Sequence, residues 1–157
     1  MKYHLYRSIG EQILTFIELS TLMCRIEAIL NSRPLLPLKD DVSDVDFLTP
    51  AHFLIQRPSF LVPEPDLRNE KIPIEKRWEL LSQSVQHFWD RWSKEYLTSL
   101  QVRQKWNEQQ RSLQSGDIVR IKNVSSPPGK WPLGYVQATH PVTDGLFIFF
   151  WFNFLFR

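Results

Sequence analysis

The residues of this chain best suited to binding another molecule are lysines and arginines in its second half. Residues 75–137 hold ten basic and six acidic side chains, a net charge of +4, whereas residues 39–74 hold four basic and seven acidic, a net of −3. Lysine and arginine neutralise nucleic-acid phosphates and release counterions, which supplies most of sequence-independent binding. The uneven distribution is more informative than the total charge of +2, and it predicts contact with nucleic acid.

Two short segments supply the most specific candidates. Arg120 and Lys122 alternate on a predicted strand, so their side chains share one face. Lys130 precedes Trp131, which places a cation beside a ring on which a base could stack. The candidate nucleic-acid-binding residues are Arg103, Lys105, Arg111, Arg120, Lys122, Lys130 and Trp131. An ordinary solvated basic face is the alternative interpretation.

The acidic residues do not predict a catalytic or metal site. The cluster Asp40, Asp41, Asp44 and Asp46 lacks the glycine and glutamate positions of a calcium loop, so it indicates a solvated turn. Glu18 and Glu27 lie nine residues apart on one predicted helix; we expect Glu18 to cap the helix and Glu27 to lie on the surface. No cofactor is therefore expected.

Cysteine, histidine and tryptophan receive structural interpretations. The single cysteine, Cys24, excludes an internal disulfide, suits an intracellular compartment and is predicted to be a small buried residue. His52 and His87 are predicted to be structural or surface residues rather than ligands. Core packing is predicted for three residues on one helical stripe, Trp78, Trp89 and Trp92.

The elements that position these residues predict an α+β fold. Residues 11–30 form a predicted helix, with Thr15 and Glu18 as a capping box, Asn31 as the expected cap at its end and an apolar face comprising Ile13, Phe16, Leu19, Met23, Ile26 and Leu30. A proline-rich connector over residues 34–74 is expected to wrap over a neighbour, and Thr49-Pro50 starts a short helix within it. A long amphipathic helix over residues 75–111, roughly 55 Å in length, follows.

The last part of the chain predicts strands. Residues 117–122 and 131–139 alternate as strands do, Gly134 is a possible bulge, and a third strand begins at Leu146. The apolar run Leu146–Phe156 is shorter than the about 20 helical residues that cross a bilayer, and the first residues do not form a secretory signal. A membrane partner is therefore not expected.

Five strings in order resemble the C-terminal region of integrases from BEL/Pao-type long-terminal-repeat retrotransposons. They are Ile26-Glu-Ala-Ile-Leu-Asn-Ser-Arg-Pro-Leu35, Leu48-Thr-Pro-Ala-His-Phe-Leu-Ile55, Trp89-Asp-Arg-Trp-Ser-Lys-Glu-Tyr-Leu97, Gly116-Asp-Ile-Val119 and Lys130-Trp-Pro-Leu-Gly134. The resemblance implies that residues 1–38 are the last helices of an RNase H-like catalytic core and that residues 39–74 are a connector. It further implies that residues 75–145 are a helix followed by a small SH3-like barrel, analogous to the DNA-binding domain of retroviral integrases.

Departures from that family shape the functional expectation. Such integrases hold two divalent metals with two aspartates and a glutamate, and the glutamate precedes a segment resembling Met1-Lys-Tyr-His-Leu5, where this sequence starts. We therefore do not expect an enzyme or a metal site. Residues 146–157 become almost wholly apolar, which predicts an incomplete barrel with an aberrant tail.

The sequence thus predicts a non-catalytic integrase fragment that binds DNA without sequence preference, assembles with an integrase core or a second copy, or does both. Its expected location is intracellular, and nuclear if it is functional. A protein-interaction module without nucleic-acid binding is the alternative. A third possibility is an enzyme completed in trans by a separate core polypeptide.

Overall fold

The computed structural model describes residues 2–38, 46–59, 61–100, 113–121, 126–141 and 147–155. Its elements confirm the predicted α+β class. In chain order they are α1 (Lys2–Ile9), α2 (Phe16–Asn31), β1 (Leu36–Pro37), β2 (Phe47–Leu48), α3 (Pro50–Ile55), α4 (Arg77–Ser99), β3 (Ile118–Arg120), β4 (Leu133–Pro141) and β5 (Phe147–Leu155). Helices α1 and α2 pack against α4, α3 contacts α2, and β3, β4 and β5 form an antiparallel sheet.

The start of α2 is fixed by the capping box that the sequence predicts. The backbone N–H of Thr15 donates to the Glu18 carboxylate at 2.8 Å, and the Thr15 hydroxyl accepts from the Glu18 N–H at 3.3 Å. These bonds satisfy two of the donors that a helix start leaves free. The helix ends at Asn31 with Ser32 as its C-cap, one residue later than expected.

The apolar face predicted for α2 is confirmed at Ile26, Met23 and Leu30, which lie in the core or pack against it. It is wrong at Ile13, Phe16 and Leu19, which are exposed. Leu22, Ile26 and Ile29 are fully buried against α4, whereas Ile13 and Phe16 are 89% and 85% exposed. Apolar residues occupy more than one side of this helix, so periodicity alone does not decide which side packs. The prediction of a buried Cys24 is wrong for the same reason, because Cys24 lies off the buried line and is exposed.

The long helix predicted over residues 75–111 is confirmed for Arg77–Ser99, which is about 35 Å at 1.5 Å per residue. The helix ends at Ser99 with Leu100 as its C-cap, so the predicted length of roughly 55 Å is too large. The rest of the predicted range, residues 101–111, lies outside the described part of the chain. The stripe of α4 is buried as predicted at four positions in the core: Leu81, Val85, Phe88 and Trp89.

The three-stranded sheet has the order β3–β4–β5, with antiparallel pairing throughout. Irregularities in the β4–β5 register occur at Val136/Ala138 and His140/Pro141, so the bulge predicted at Gly134 is wrong. Gly134 instead pairs regularly with Val119 and Phe154. Within the described ranges the three strands do not close into a barrel, in agreement with the incomplete barrel expected.

The proline-rich connector packs along α4, as predicted. Gln86 accepts from the Leu67 N–H at 2.8 Å and donates to the Pro65 carbonyl at 2.8 Å. Thr49 is the N-cap of α3 and Pro50 is its first residue, and the Thr49 N–H donates to Nδ1 of His52 at 3.0 Å. The structural role predicted for His52 is confirmed.

An ion pair joins the first turns of α2 and α4. Arg77 Nε lies 2.7 Å from Glu18 Oε1, and Arg77 Nη2 donates to the Ile13 carbonyl at 2.8 Å. The bond from Arg77 is the largest of the causes that lower the pKa of Glu18 from 4.5 to about 2, and the Thr15 N–H adds to it. Glu18 therefore caps one helix and positions another.

Replacing Glu18 tests this link through its pH dependence. A carboxyl group whose pKa is lower in the folded state stabilises that state above its unfolded pKa, and this contribution is lost as the pH falls through the folded pKa. We expect Glu18→Gln to destabilise the protein at neutral pH. The difference from wild type should shrink below pH 4.5 and be largely gone near pH 2.

The measurement is urea denaturation at several pH values, with Glu27→Gln on the exposed side of α2 as the matched control. A Glu18→Gln deficit that stays constant from neutral pH to pH 2 would contradict the ion-pair explanation.

Candidate nucleic-acid interface

An aromatic cluster joins the sheet to the helices. It consists of Phe88, Trp89, Trp92 and Tyr96 on α4 together with Trp131, which lies two residues before the start of β4. Positions three, four and seven apart share one side of a helix, so the four rings of α4 form a continuous surface. The ring centroids of Trp131 and Trp89 are 4.8 Å apart at an interplanar angle of 78°, and those of Trp131 and Trp92 are 5.7 Å apart.

Both indole N–H groups at this junction have acceptors. Trp131 Nε1 donates to the Ser32 hydroxyl at 3.2 Å, and Trp89 Nε1 donates to the Ser126 carbonyl at 2.9 Å. A buried indole usually needs such a partner, because an unsatisfied N–H is costly away from water. The two bonds tie the loop before β4 to the end of α2 and to α4.

Arg120 completes the cluster from β3. Its guanidinium carbon lies 4.5 Å from the Trp131 ring centroid and 5.6 Å from that of Tyr96, and its Nη2 donates to the Pro34 carbonyl at 2.9 Å. Burial lowers the pKa of Arg120, and the Tyr96 hydroxyl partly opposes this effect. The structure therefore brings together two of the predicted site residues, Arg120 and Trp131, in an internal cation–π contact.

Lys130 lies elsewhere, on the rim of a groove of about 1110 Å³. One wall is the small-residue side of α2, including Cys24 and Ala28, and the opposite wall comes from residues 61–64 and the loop 127–130. Gly129 turns this loop with a φ of +73°, and a Cβ there would overlap the Leu61 side chain. The loop thereby places the ammonium group of Lys130 in solvent.

One ion pair, between Arg25 and Glu64, organises the same groove. Arg25 pairs with Glu64 at 2.5 Å, donates to the Ser82 hydroxyl at 3.0 Å and lies over the Trp78 ring at 5.2 Å from its centroid. Sequence patterns gave no signal for this arrangement, because its members come from distant parts of the chain. The core position predicted for Trp78 is wrong, since its side chain is 58% exposed on the groove.

Residues 76–149 match the model of one known family. It is a family of unknown function, DUF5641. No curated protein and no solved structure matches the chain significantly. The matched region begins at the residue before α4 and ends within β5, so it contains the aromatic cluster and Arg120.

The remaining predicted site residues of the DUF5641 region, Arg103, Lys105, Arg111 and Lys122, lie outside the described part of the chain. Asp40, Asp41 and Asp44 lie outside it as well. Phosphate contact by Arg120 and base stacking by Trp131 stay predictions, and the internal contacts of both side chains argue against them. Of the three candidates that the structure describes, Lys130 is the exposed one.

Other sequence-based interpretations are resolved by contacts. His87 shares a hydrogen bond of 3.0 Å with the Arg68 carbonyl, which confirms a structural role. Glu27 is exposed, as predicted. Among the described residues there is no group of three or more histidine, cysteine or acidic side chains that could hold a metal ion. None of the described helices is long and apolar enough to cross a bilayer.

Trp131→Ala separates packing from nucleic-acid stacking. Because the ring fills the junction between α4 and the sheet, we expect the free energy of unfolding to fall by about 3 kcal/mol, as for other large-to-small changes in cores. Trp78→Ala, at a more exposed ring, should cost less than about 1 kcal/mol. Both values come from urea denaturation. An unchanged stability of Trp131→Ala would instead favour a free, ligand-facing ring.

Proposed function

We propose that this chain is a non-catalytic module derived from a retrotransposon integrase, and that it docks on another protein during assembly of the integration complex. The observation that carries the proposal is a group of exposed apolar side chains at the start of α2. Ile13, Phe16 and Ile17 are 89%, 85% and 76% exposed. Exposed apolar patches on soluble proteins commonly mark interaction sites.

The position of this patch favours a protein partner. The other side of α2 is already used, since Leu22, Ile26 and Ile29 are buried against α4. The capping box and the bond from Arg77 to the Ile13 carbonyl hold the backbone beneath the patch in one conformation. A preorganised apolar surface loses little conformational entropy on binding, which favours affinity.

The partner that we propose is the RNase H-like catalytic core of such an integrase. The support is the resemblance of the string Ile26–Leu35 to the end of that core. Bond breaking and joining are then tasks of the partner, while this chain contributes binding. The DUF5641 match supports membership of the second half in a shared family but carries no function.

Phe16→Ser tests the docking surface. We expect the affinity for a separately purified RNase H-like core of a BEL/Pao-type integrase to fall at least tenfold, because central aromatic anchors carry much of an interface's energy. The matched control is Phe53→Ser on α3, a phenylalanine that is 70% exposed at another place. Both affinities are measured by isothermal titration with the full chain.

Three outcomes can be distinguished. Loss of binding in Phe16→Ser alone supports the proposal. Equal affinities of both variants and wild type, or no binding of the core by wild type, would refute it. Self-association of wild type that Phe16→Ser abolishes, detected by sedimentation, would replace the core with a second copy as partner.

DNA-backbone binding is the second candidate function, and the exposure of Lys130 favours it. Lys130 is solvent-exposed, and in the described part of the chain it forms no ion pair with a carboxylate. Arg91 and Lys94 add exposed cations on α4. Such groups contact phosphates without reading the base sequence. A nuclear location follows if this function operates.

A salt titration tests the second candidate. We expect binding to nonspecific duplex DNA, followed by fluorescence anisotropy, to weaken linearly in a plot of log affinity against log salt. Lys130→Ala should reduce the slope by about 1, as expected for the loss of one phosphate contact. Lys71→Ala, an exposed lysine in the connector, is the control. The absence of binding even at low salt would eliminate this function.

A further inference from the structure

A second cavity, of about 340 Å³, lies where the β1–β2 hairpin, the end of α4 and the sheet meet. Its walls are strongly apolar and include Leu36, Phe47, Leu97, Leu100 and Leu133. Of the described residues that line it, Arg120 alone is charged. The volume falls at the lower end of the range of small-molecule sites, about 300–1,000 Å³.

Within the described ranges, the guanidinium of Arg120 has no carboxylate partner, in contrast to those of three other arginines. Arg25 pairs with Glu64, Arg68 with Asp66 and Asp90, and Arg77 with Glu18. Among the residues that the structure describes, Arg120 interacts with the Pro34 carbonyl, the Tyr96 hydroxyl and two ring faces, all of them uncharged. Its Nη1 is buried without any hydrogen-bond partner.

The buried guanidinium of Arg120 therefore carries an uncompensated desolvation cost. A buried donor without an acceptor loses its hydration and regains nothing, and a buried charge is normally paired. The aromatic faces offset part of this cost but supply no negative charge. Burial also lowers the pKa of Arg120, and the Tyr96 hydroxyl only partly opposes this effect. An anion in the adjoining cavity would supply the missing charge.

The walls define what kind of anion fits. A phosphate brings several charged oxygens, which need more donors than one guanidinium, and the lining side chains other than Arg120 are apolar. A monocarboxylate forms a matched pair with one guanidinium, and an apolar body satisfies the leucine and phenylalanine walls. We propose that this cavity binds a small carboxylic acid with an aliphatic or aromatic body, whose carboxylate pairs with Arg120.

This site is separate from the α2 surface and does not depend on the proposed docking function. The test uses 4-phenylbutyrate and its neutral amide as probes, titrated into the full chain by isothermal calorimetry. The Trp131 indole N–H resonance reports on the environment of Arg120. We expect the acid to bind about tenfold to a hundredfold more tightly than the amide, the ratio that a charge-assisted hydrogen bond provides.

Two variants and a control localise the binding. Arg120→Met removes the charge and should abolish the preference for the acid. Leu36→Glu places a carboxylate at a wall position that is 63% exposed, so folding should be retained while the acid is excluded. Lys130→Met removes an exposed cation outside the cavity and should leave binding unchanged. If Arg120→Met does not fold, Leu36→Glu decides the outcome.

The ligand could be a free acid or the carboxyl end of a polypeptide. A tripeptide ending in phenylalanine is therefore compared with its C-terminally amidated form. Tighter binding of the free-acid peptide than of 4-phenylbutyrate assigns a chain end, and weaker binding assigns a free acid. Equal affinity for acid and amide, no binding of either probe at about 1 mM, or a Leu36→Glu variant that binds like Lys130→Met would overturn the proposal.

Discussion

The packing of Trp131 against α4 is the contact on which the arrangement of helices and sheet depends. The Trp131 ring contacts three aromatic rings of α4, and the guanidinium of Arg120 on β3 lies over its face. Its indole N–H donates to Ser32 at the end of α2. Aromatic pairs contribute about 0.5–1.5 kcal/mol each beyond the area they bury. One side chain thus links α2, α4 and β3, which are far apart in the sequence.

Ion pairs hold the connector in a different way. Arg25 on α2 pairs with Glu64 in the connector, and Arg68 in the connector pairs with Asp90 on α4. Exposed pairs contribute little, but a planar guanidinium with several hydrogen bonds also fixes geometry. The connector can therefore follow α4 although few of its side chains enter the core, of which Leu67 is one. Its shape comes from hydrogen bonds to Gln83 and Gln86 as much as from apolar burial.

Local sequence rules predict the elements better than their contacts. Thr15 and Thr49 begin helices where capping chemistry places them, and the stripe of α4 follows from its periodicity. The buried side of α2 could not be predicted, because apolar residues surround that helix and only the position of α4 selects among them. The internal cation–π position of Arg120 could not be predicted either, because its acceptor at Pro34 is 86 residues away in sequence.

The exposure of Cys24 has a practical consequence. It is the only cysteine in the chain, and it lies in the wall of the groove that Lys130 borders. A thiol-directed fluorophore would therefore label this one position, and no other cysteine would have to be removed first. A change in its emission would show whether a macromolecule covers the groove, in cell extracts as well as in purified mixtures.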